Sequence, residues 1–251
     1  RSHCDWSSDV CSSDLLYLPD QVIHMLPPEV SDMCSLGQSA QSRALSVSFN
    51  MVNSQISDVK ITQTMIKVTK ISYENADKEF QENKALSKLS AIVASHKAFR
   101  NDNGAIKLDL PNVDVKVKDN KVNIKVQVES ASRELVAEMM VIAGRAVAKF
   151  AIENKISMPF LTQEVGSFSE ETMNNKENLT FSQAFQATRS FKRSKISTKP
   201  SLHAGLGLSS YVRVTSPIRR YLDLLVHQQL IRFINKLPTL NDAQLKRSEE
   251  H

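Results

Sequence analysis

Apolar and polar positions follow two different periods along this chain, and the switches between them outline its elements. Tyr17 to Leu36 carries neither period and is punctuated by Pro19, Pro27 and Pro28, which predicts a loop-like segment. Ala44–Phe49 and Val59–Val68 read as strands, the second with Val59, Ile61, Ile66 and Val68 partly alternating. Phe80, Leu86, Leu89, Ile92, Val93 and Ala94 fit one face of a helix, predicting a single long helix from Ala76 to Phe99. Val113, Val115 and Val117 alternate with polar residues, Asp119-Asn120 turns the chain, and Val122, Ile124, Val126 and Val128 return it as a hairpin. Ser132 is the expected N-cap of a further helix with Leu135, Met139, Ile142, Ala146 and Phe150 on its apolar stripe. After Met158-Pro159 the chain is polar and irregular to about Leu179, and a last helix is expected from Pro217 to about Lys236. No internal repeat or low-complexity linker divides the sequence, so it reads as one mixed α/β (α+β) unit.

Composition agrees with a chain that can bury a core. Of 251 residues, 41% are hydrophobic and 24% charged, with a mean hydropathy of -0.28, which excludes a disordered or collagen-like chain. No run approaches the ~20 apolar residues of a membrane span. The two ends differ from the rest. Residues 1–15 hold Cys4 and Cys11, the only tryptophan (Trp6) and five serines, with no periodicity and no signal-peptide pattern. This run resembles the translation of a sequencing-library adapter, and the terminal RSEEH, residues 247–251, resembles the same adapter read in the other direction. Residues 16–246 are therefore expected to be the native part. Cys34 is then the one remaining cysteine, expected to be a small buried hydrophobe, and a reducing, cytoplasmic setting follows.

Removing the ends sharpens the charge. Residues 16–246 contain 30 basic and 22 acidic residues, and the whole surplus of eight falls between Asn178 and Leu222. That stretch has no Asp or Glu, but carries Arg189, Lys192, Arg193, Lys195, Lys199, Arg213, Arg219 and Arg220, interleaved with Phe181, Phe185, Phe191, Tyr211 and Tyr221. Cations neutralise phosphates, and aromatic rings stack on unpaired bases for about 1–3 kcal/mol each, so single-stranded nucleic acid is the expected partner. A solvated basic face over core phenylalanines is the alternative for any single residue.

Within this stretch, Ser216-Pro217 reads as a helix start, and Arg219 and Arg220 in its first turn suit an anionic ligand. Arg219, Asp223 and His227 are spaced i, i+4, i+8, so Asp223 is expected to orient Arg219 and His227 to support Asp223; an exposed salt-bridged face fits the same spacing. No metal centre is legible. His24, His96, His203 and His227 lack ligand spacing; Asp77 and Glu79 point to different helix faces; Asp109, Asp114 and Asp119 lie on different segments; and Glu170-Glu171 sits in a polar loop.

The sequence from His203 to Asp223, HAGLGLSSYVRVTSPIRRYLD, resembles the signature of the ribonuclease II/ribonuclease R (RNB) family of exoribonucleases. Tyr17-Leu-Pro-Asp-Gln-Val-Ile-His-Met-Leu-Pro-Pro-Glu with Cys34-Ser-Leu is similar to the family's segment following its catalytic aspartates, and Leu135-Val-Ala-Glu-Met-Met-Val-Ile-Ala-Gly to its central helix. The three motifs stand in family order over roughly 16–234.

The resemblance implies a partial RNB catalytic domain, with a mixed sheet and long helices, from a 3′→5′ exoribonuclease that hydrolyses single-stranded RNA to 5′-nucleoside monophosphates. It implies Mg²⁺ held by aspartates upstream of Tyr17, which this chain is expected to lack, leaving it inactive alone. Arg219 matches the arginine that stabilises charge on the phosphorus oxygens. RNA contacts are expected from Tyr17, which matches a tyrosine stacking near the 3′ end, and Tyr73, which matches one that positions the nucleotide. They are also expected from Glu138, His203, Tyr211, Ser216, Arg220 and Tyr221. Ala137 and Leu108 depart from the pattern, where the family has a second acid and a base-stacking phenylalanine. Glu134, Glu138, Arg145, Lys149 and Glu153 equally make a solvated helix face. The flanking cold-shock and S1-type domains are absent from the sequence, and a monomer is expected. The rival reading is a non-catalytic RNA-binding protein on a degenerate RNB scaffold, with a basic structural protein as a third.

Overall fold

The computed structural model describes residues 14–18, 21–80, 82–106, 113–118, 121–126, 130–167 and 180–249. Of the expectations above, those on residues 1–13, Pro19, Leu108, Asp109, Asp119-Asn120, Val128, the stretch 168–179 with Glu170-Glu171, and 250–251 lie outside these residues.

The first elements are small: β1 (Leu16–Tyr17) pairs with β2 (Val22–Ile23), and α1 (Pro28–Cys34) starts on its proline within the segment expected to be loop. Cys34 is exposed rather than buried. A long hairpin follows, β3 (Ser42–Val52) and β4 (Gln55–Ile66), turned by Asn53 and Ser54 with φ of 49° and 60°. Two left-handed residues match the right-handed twist of paired strands, and a short polar side chain lowers the cost of that conformation. The turn is docked: Ser54 Oγ donates to the Ser95 carbonyl (3.1 Å), and Arg145 Nη1 donates to the Ser54 carbonyl (2.8 Å).

The single helix expected over 76–99 is two helices, α2 (Tyr73–Glu79) and α3 (Lys84–Asp102). Ser72 caps the first. Asn83 caps the second, its Oδ1 accepting from Ala85 and Leu86 N–H. A side chain that takes those amides ends one helix and starts another, whatever the apolar stripe does. The hairpin β5 (Val113–Lys118)/β6 (Lys121–Val126) forms as expected and puts Val113, Val115, Val122, Ile124 and Val126 on the surface.

Helix α4 (Ala131–Glu153) is the centre of the molecule. Its N-cap is Ser130, not Ser132. Ser132 instead ties α4 to α2, its N–H donating to Asp77 Oδ1 (2.9 Å) and its Oγ to the Tyr73 carbonyl (3.2 Å). Leu135, Ile142 and Ala146 pack with Ile56 of β4 and Val93 of α3. Val147, Ala148 and Ala151 pack with Ile61, Ile156, Met158, Phe160, Val212, Val214, Val226 and Leu230. Each fully buried side chain of the size of Ile142, Met158 or Leu230 is worth about 1.5–3 kcal/mol.

The remaining elements are β7 (Phe160–Thr162), α5 (Phe181–Ser190), β8 (Lys195–Ser197), α6 (Tyr221–Ile234) and α7 (Asp242–Glu249). Helix α5, which no periodicity signalled, is opened by a capping box in which Thr180 and Gln183 satisfy each other's backbone. The α/β class holds. Among the described residues, however, the strands form four separate two-stranded antiparallel ladders rather than one mixed sheet, and the single parallel pairing is the Gln163–His203 bridge.

Candidate nucleic-acid interface

Asp223, in the first turn of α6, is fully buried and organises the segment before the helix. Its Oδ2 accepts from Ser216 N–H (2.8 Å) and from Arg220 Nη2 (2.7 Å). One turn later, His227 Nε2–H donates to the Val214 carbonyl (2.7 Å). Both ends of Val214–Arg220 are thus fixed to one face of α6. This corrects the expected relay. Asp223 holds Arg220 instead of Arg219, and His227 holds Val214 instead of Asp223. Ser216-Pro217 also does not open the helix. Ser216 is buried, its carbonyl accepts from Arg219 and Arg220 N–H (3.2 and 3.0 Å) to close a separate turn, and α6 begins at Tyr221 with Arg220 as N-cap. The buried carboxylate captures the Ser216 amide, and this closes the turn before the helix starts. Asp223 Oδ1 and Arg220 Nε remain buried without hydrogen-bond partners.

Because Asp223 is committed to Arg220, Arg219 points elsewhere. Its Nη1 donates to the Tyr17 hydroxyl (3.0 Å), and its carbonyl accepts from Leu15 N–H (2.9 Å). Tyr17 is 67% exposed, its ring open to solvent. The first amide of α6, Tyr221 N–H, donates to Asp14 Oδ1 (3.0 Å), a carboxylate at the helix start where an anion is favoured. The structure therefore gathers Tyr17, Ser216, Arg219, Arg220 and Tyr221 at one place. It adds Asp223 and His227 as the groups that hold them, while Asp14, which reaches the start of α6, belongs to the segment expected to be non-native.

His203, buried, and Tyr211, half-buried, form a second layer. Their rings meet edge-on at 6.0 Å. Tyr211 lies against Gly144 of α4 so closely that a Cβ there would meet its Cε2 at 2.3 Å. Burial raises the Tyr211 phenol above its ordinary value. Burial also lowers the His203 imidazole, whose Nδ1 has no partner and whose Nε2 meets Ser194 Oγ at 3.5 Å.

Tyr73 and Glu138 belong to other contacts. Tyr73 is 39% exposed in the first turn of α2, with the Arg133 guanidinium 4.3 Å from its ring centroid. Glu138 lies inside the protein, not on a solvated helix face. Arg100 Nε and Nη2 donate to its two oxygens (2.8 and 2.6 Å), and His96 Nδ1 donates to Oε1 (2.6 Å). Burial pushes its carboxyl up, but the hydrogen bonds from His96 and Arg100 outweigh this and hold it below the ordinary glutamate value. Arg100 Nη1 also donates to the Leu206 carbonyl (3.2 Å), linking Glu138 to the His203–Leu208 loop. His96 and Arg100 were not legible as its partners, since 42 and 38 residues separate them from it.

The stretch without acids in sequence is not wholly without acids in space. Glu164 lies 3.0 Å from Lys195 Nζ, which lowers its carboxyl, and Asp223 takes Arg220. Arg189, Lys192, Arg193, Lys199, Arg213 and Arg219 have no ion-pair partner among the described residues. Nor do any three His, Cys, Asp or Glu side chains among the described residues gather to hold a metal ion. Near Arg219, Asp14 and Asp223 are both engaged with backbone amides. The described residues therefore do not fit a Mg²⁺ centre.

The RNB domain matches residues 12–236 of this sequence, and the chain belongs to the RNB domain family. It is similar to an uncharacterized ribonuclease of Synechocystis sp., 33% identical over 90% of this chain and 35% of that protein, and to ribonuclease R of Chlamydia pneumoniae, 28% identical over 92% and 40%. The chain thus spans about 35–40% of the length of these relatives. Among solved structures, Mycoplasma genitalium RNase R in complex with ribose-methylated single-stranded RNA superposes with a TM-score of 0.77 at 20% identity, covering 94% of this chain and 44% of that one. Yeast Ssd1, a pseudonuclease, superposes with 0.69 at 17%, covering 92% and 34%. These structures establish the fold. Among the described residues no helix is long and apolar enough to cross a membrane.

Proposed function

We propose that this chain is the RNA-holding part of a hydrolytic 3′→5′ exoribonuclease that releases 5′-nucleoside monophosphates from single-stranded RNA. The observation that carries this reading is the placement of Arg219 against the exposed Tyr17, on a turn fixed by the buried Asp223. In this reading Arg219 binds the phosphodiester nearest the 3′ end and stabilises charge on its oxygens, while the Tyr17 ring stacks on the adjoining base. Arg220 serves as the strut between Asp223 and the turn. Tyr73 contributes a nucleotide contact at the edge of α2. Glu138, whose two oxygens are occupied, acts through Arg100 on the position of the 203–208 loop.

Mg²⁺ would supply an activated water, and its ligands would come from another part of the parent protein, since the described residues do not provide them. Residues 1–15 and 247–251 are read as non-native, and the parent as a cytoplasmic monomer.

Two measurements test the reading. The 16–246 chain with Mg²⁺ should bind a single-stranded oligoribonucleotide without shortening it. Full-length parent carrying Arg219→Ala should lose about 10²–10³-fold in turnover while retaining RNA binding. An unchanged rate sinks the Arg219 assignment. The rival reading, an RNA-binding protein on a catalytically silent RNB scaffold, draws on the fold shared with the pseudonuclease Ssd1. A parent protein that binds RNA but cannot shorten it under any divalent cation would select it.

A further inference from the structure

Helix α5 (Phe181–Ser190) leaves one large aromatic side chain on the surface. Among its described side chains the buried ones are Ala184 and Ala187, while Phe185 stands 59% exposed. A single exposed apolar side chain is ordinary, but this one sits among cations. The Arg189 guanidinium lies one turn along, 5.9 Å from the ring centroid, and exposed Lys192 and Arg193 follow directly after the helix. Glu164 pairs with Lys195, on β8 beyond these cations.

The chain leaving α5 also runs toward the Arg219 region. Phe191 lines a cleft of about 270 Å³ with Asn103, Ile106, Leu202 and Gly205, and Ser194 meets His203, which packs on Tyr211. A continuous series of contacts therefore joins α5 to the segment before Arg219.

We propose that Phe185 and Arg189 form a stacking platform for a base of single-stranded RNA, with Lys192 and Arg193 neutralising the flanking phosphates. This is a second hold on the strand, distinct from Tyr17 and Arg219, and it rests on the RNA-binding reading above. The charge selects the occupant. An aromatic face beside cations that have no ion-pair partner among the described residues suits a polyanion with π-faces.

The test uses the full 251-residue chain and a fluorescein-labelled single-stranded oligouridylate, with Kd measured by anisotropy across a salt series. Phe185→Ala should weaken binding roughly 5- to 100-fold at every salt concentration and leave the slope of log K against log salt unchanged, because stacking releases no counterions. The double variant K192A/R193A should make that slope shallower by about 1.4, the share of two phosphates on a single strand. A direct readout comes from F185W in a W6F background, which makes the new indole the sole tryptophan. Its fluorescence should be quenched when the oligonucleotide binds. Since these positions are exposed, thermal midpoints should match the parent chain.

If the unmodified chain binds no oligonucleotide, both this platform and the RNA-binding reading fall. If it binds, but Phe185→Ala and K192A/R193A leave Kd and its salt slope unchanged and the F185W indole is unquenched, the platform alone is overturned.

Discussion

Asp223 shows how much of this site depends on one side chain that is closed to solvent. It has no exposed surface, yet its Oδ2 fixes both the Ser216 amide and the Arg220 guanidinium. The same face of α6 carries His227, buried against Val214, and burial lowers the His227 imidazole below its ordinary 6.5 by more than the Val214 carbonyl and Asp223 restore. Burial lowers His203 in the same way. A lowered folded-state value means that the unfolded chain takes up these protons first as pH falls. The stabilisation from both residues is therefore complete above about 6.5 and lost as pH drops through their folded values. The thermal midpoint should fall between about pH 7.5 and 5.5, and fall less in His227→Gln, which keeps a donor for Val214; a midpoint flat across that range contradicts the argument. The sequence reading found Arg219, Asp223 and His227 but paired them wrongly, because counting by helical turns fails across residues 216–220, which form a separate turn.

At the scale of elements, α4 was legible on one face and hidden on the other. Leu135, Ile142 and Ala146 announced a helical stripe, and all three are buried. The opposite side is built from Gly144, Val147, Ala148 and Ala151, and small residues carry little periodic signal although they set how closely neighbours approach. Gly144 marks the tightest point: a Cβ would lie 2.4 Å from the Val212 carbonyl oxygen, a backbone atom that cannot rotate away. Gly144→Ala should therefore cost about 1–3 kcal/mol in a urea titration despite the better helix propensity of alanine, and a stabilised variant would contradict the close approach. The division of α2 from α3 and the start of α5 were written in Asn83 and in Thr180 with Gln183. Both are capping signals, easily overlooked when the apolar pattern is read first.

For the whole molecule, the fold corrects the charge count. Six of the eight cations of the 178–222 stretch remain without an acidic partner among the described residues, because Glu164 and Asp223 reach in from outside it. If four or more of them meet phosphates, the slope of log K against log salt for single-stranded RNA should be about −3 or steeper. A slope shallower than about −1 would mean that these side chains face something other than RNA. The family was legible because its motifs are local in sequence. The buried Arg100–Glu138 fork was not, because only the packing of α3 on α4 brings those residues together.

The hydrogen bond between Tyr17 and Arg219 joins residues 202 positions apart. Closing a loop of that length costs about 5 kcal/mol of chain entropy if no other contact has formed, so the pair can assemble only after the core around α4 exists. During synthesis Tyr17 leaves the ribosome long before Arg219 is made, and an unfinished chain holds one half of the site without the other. The order of translation therefore completes this pair only once the segment before α6 has emerged.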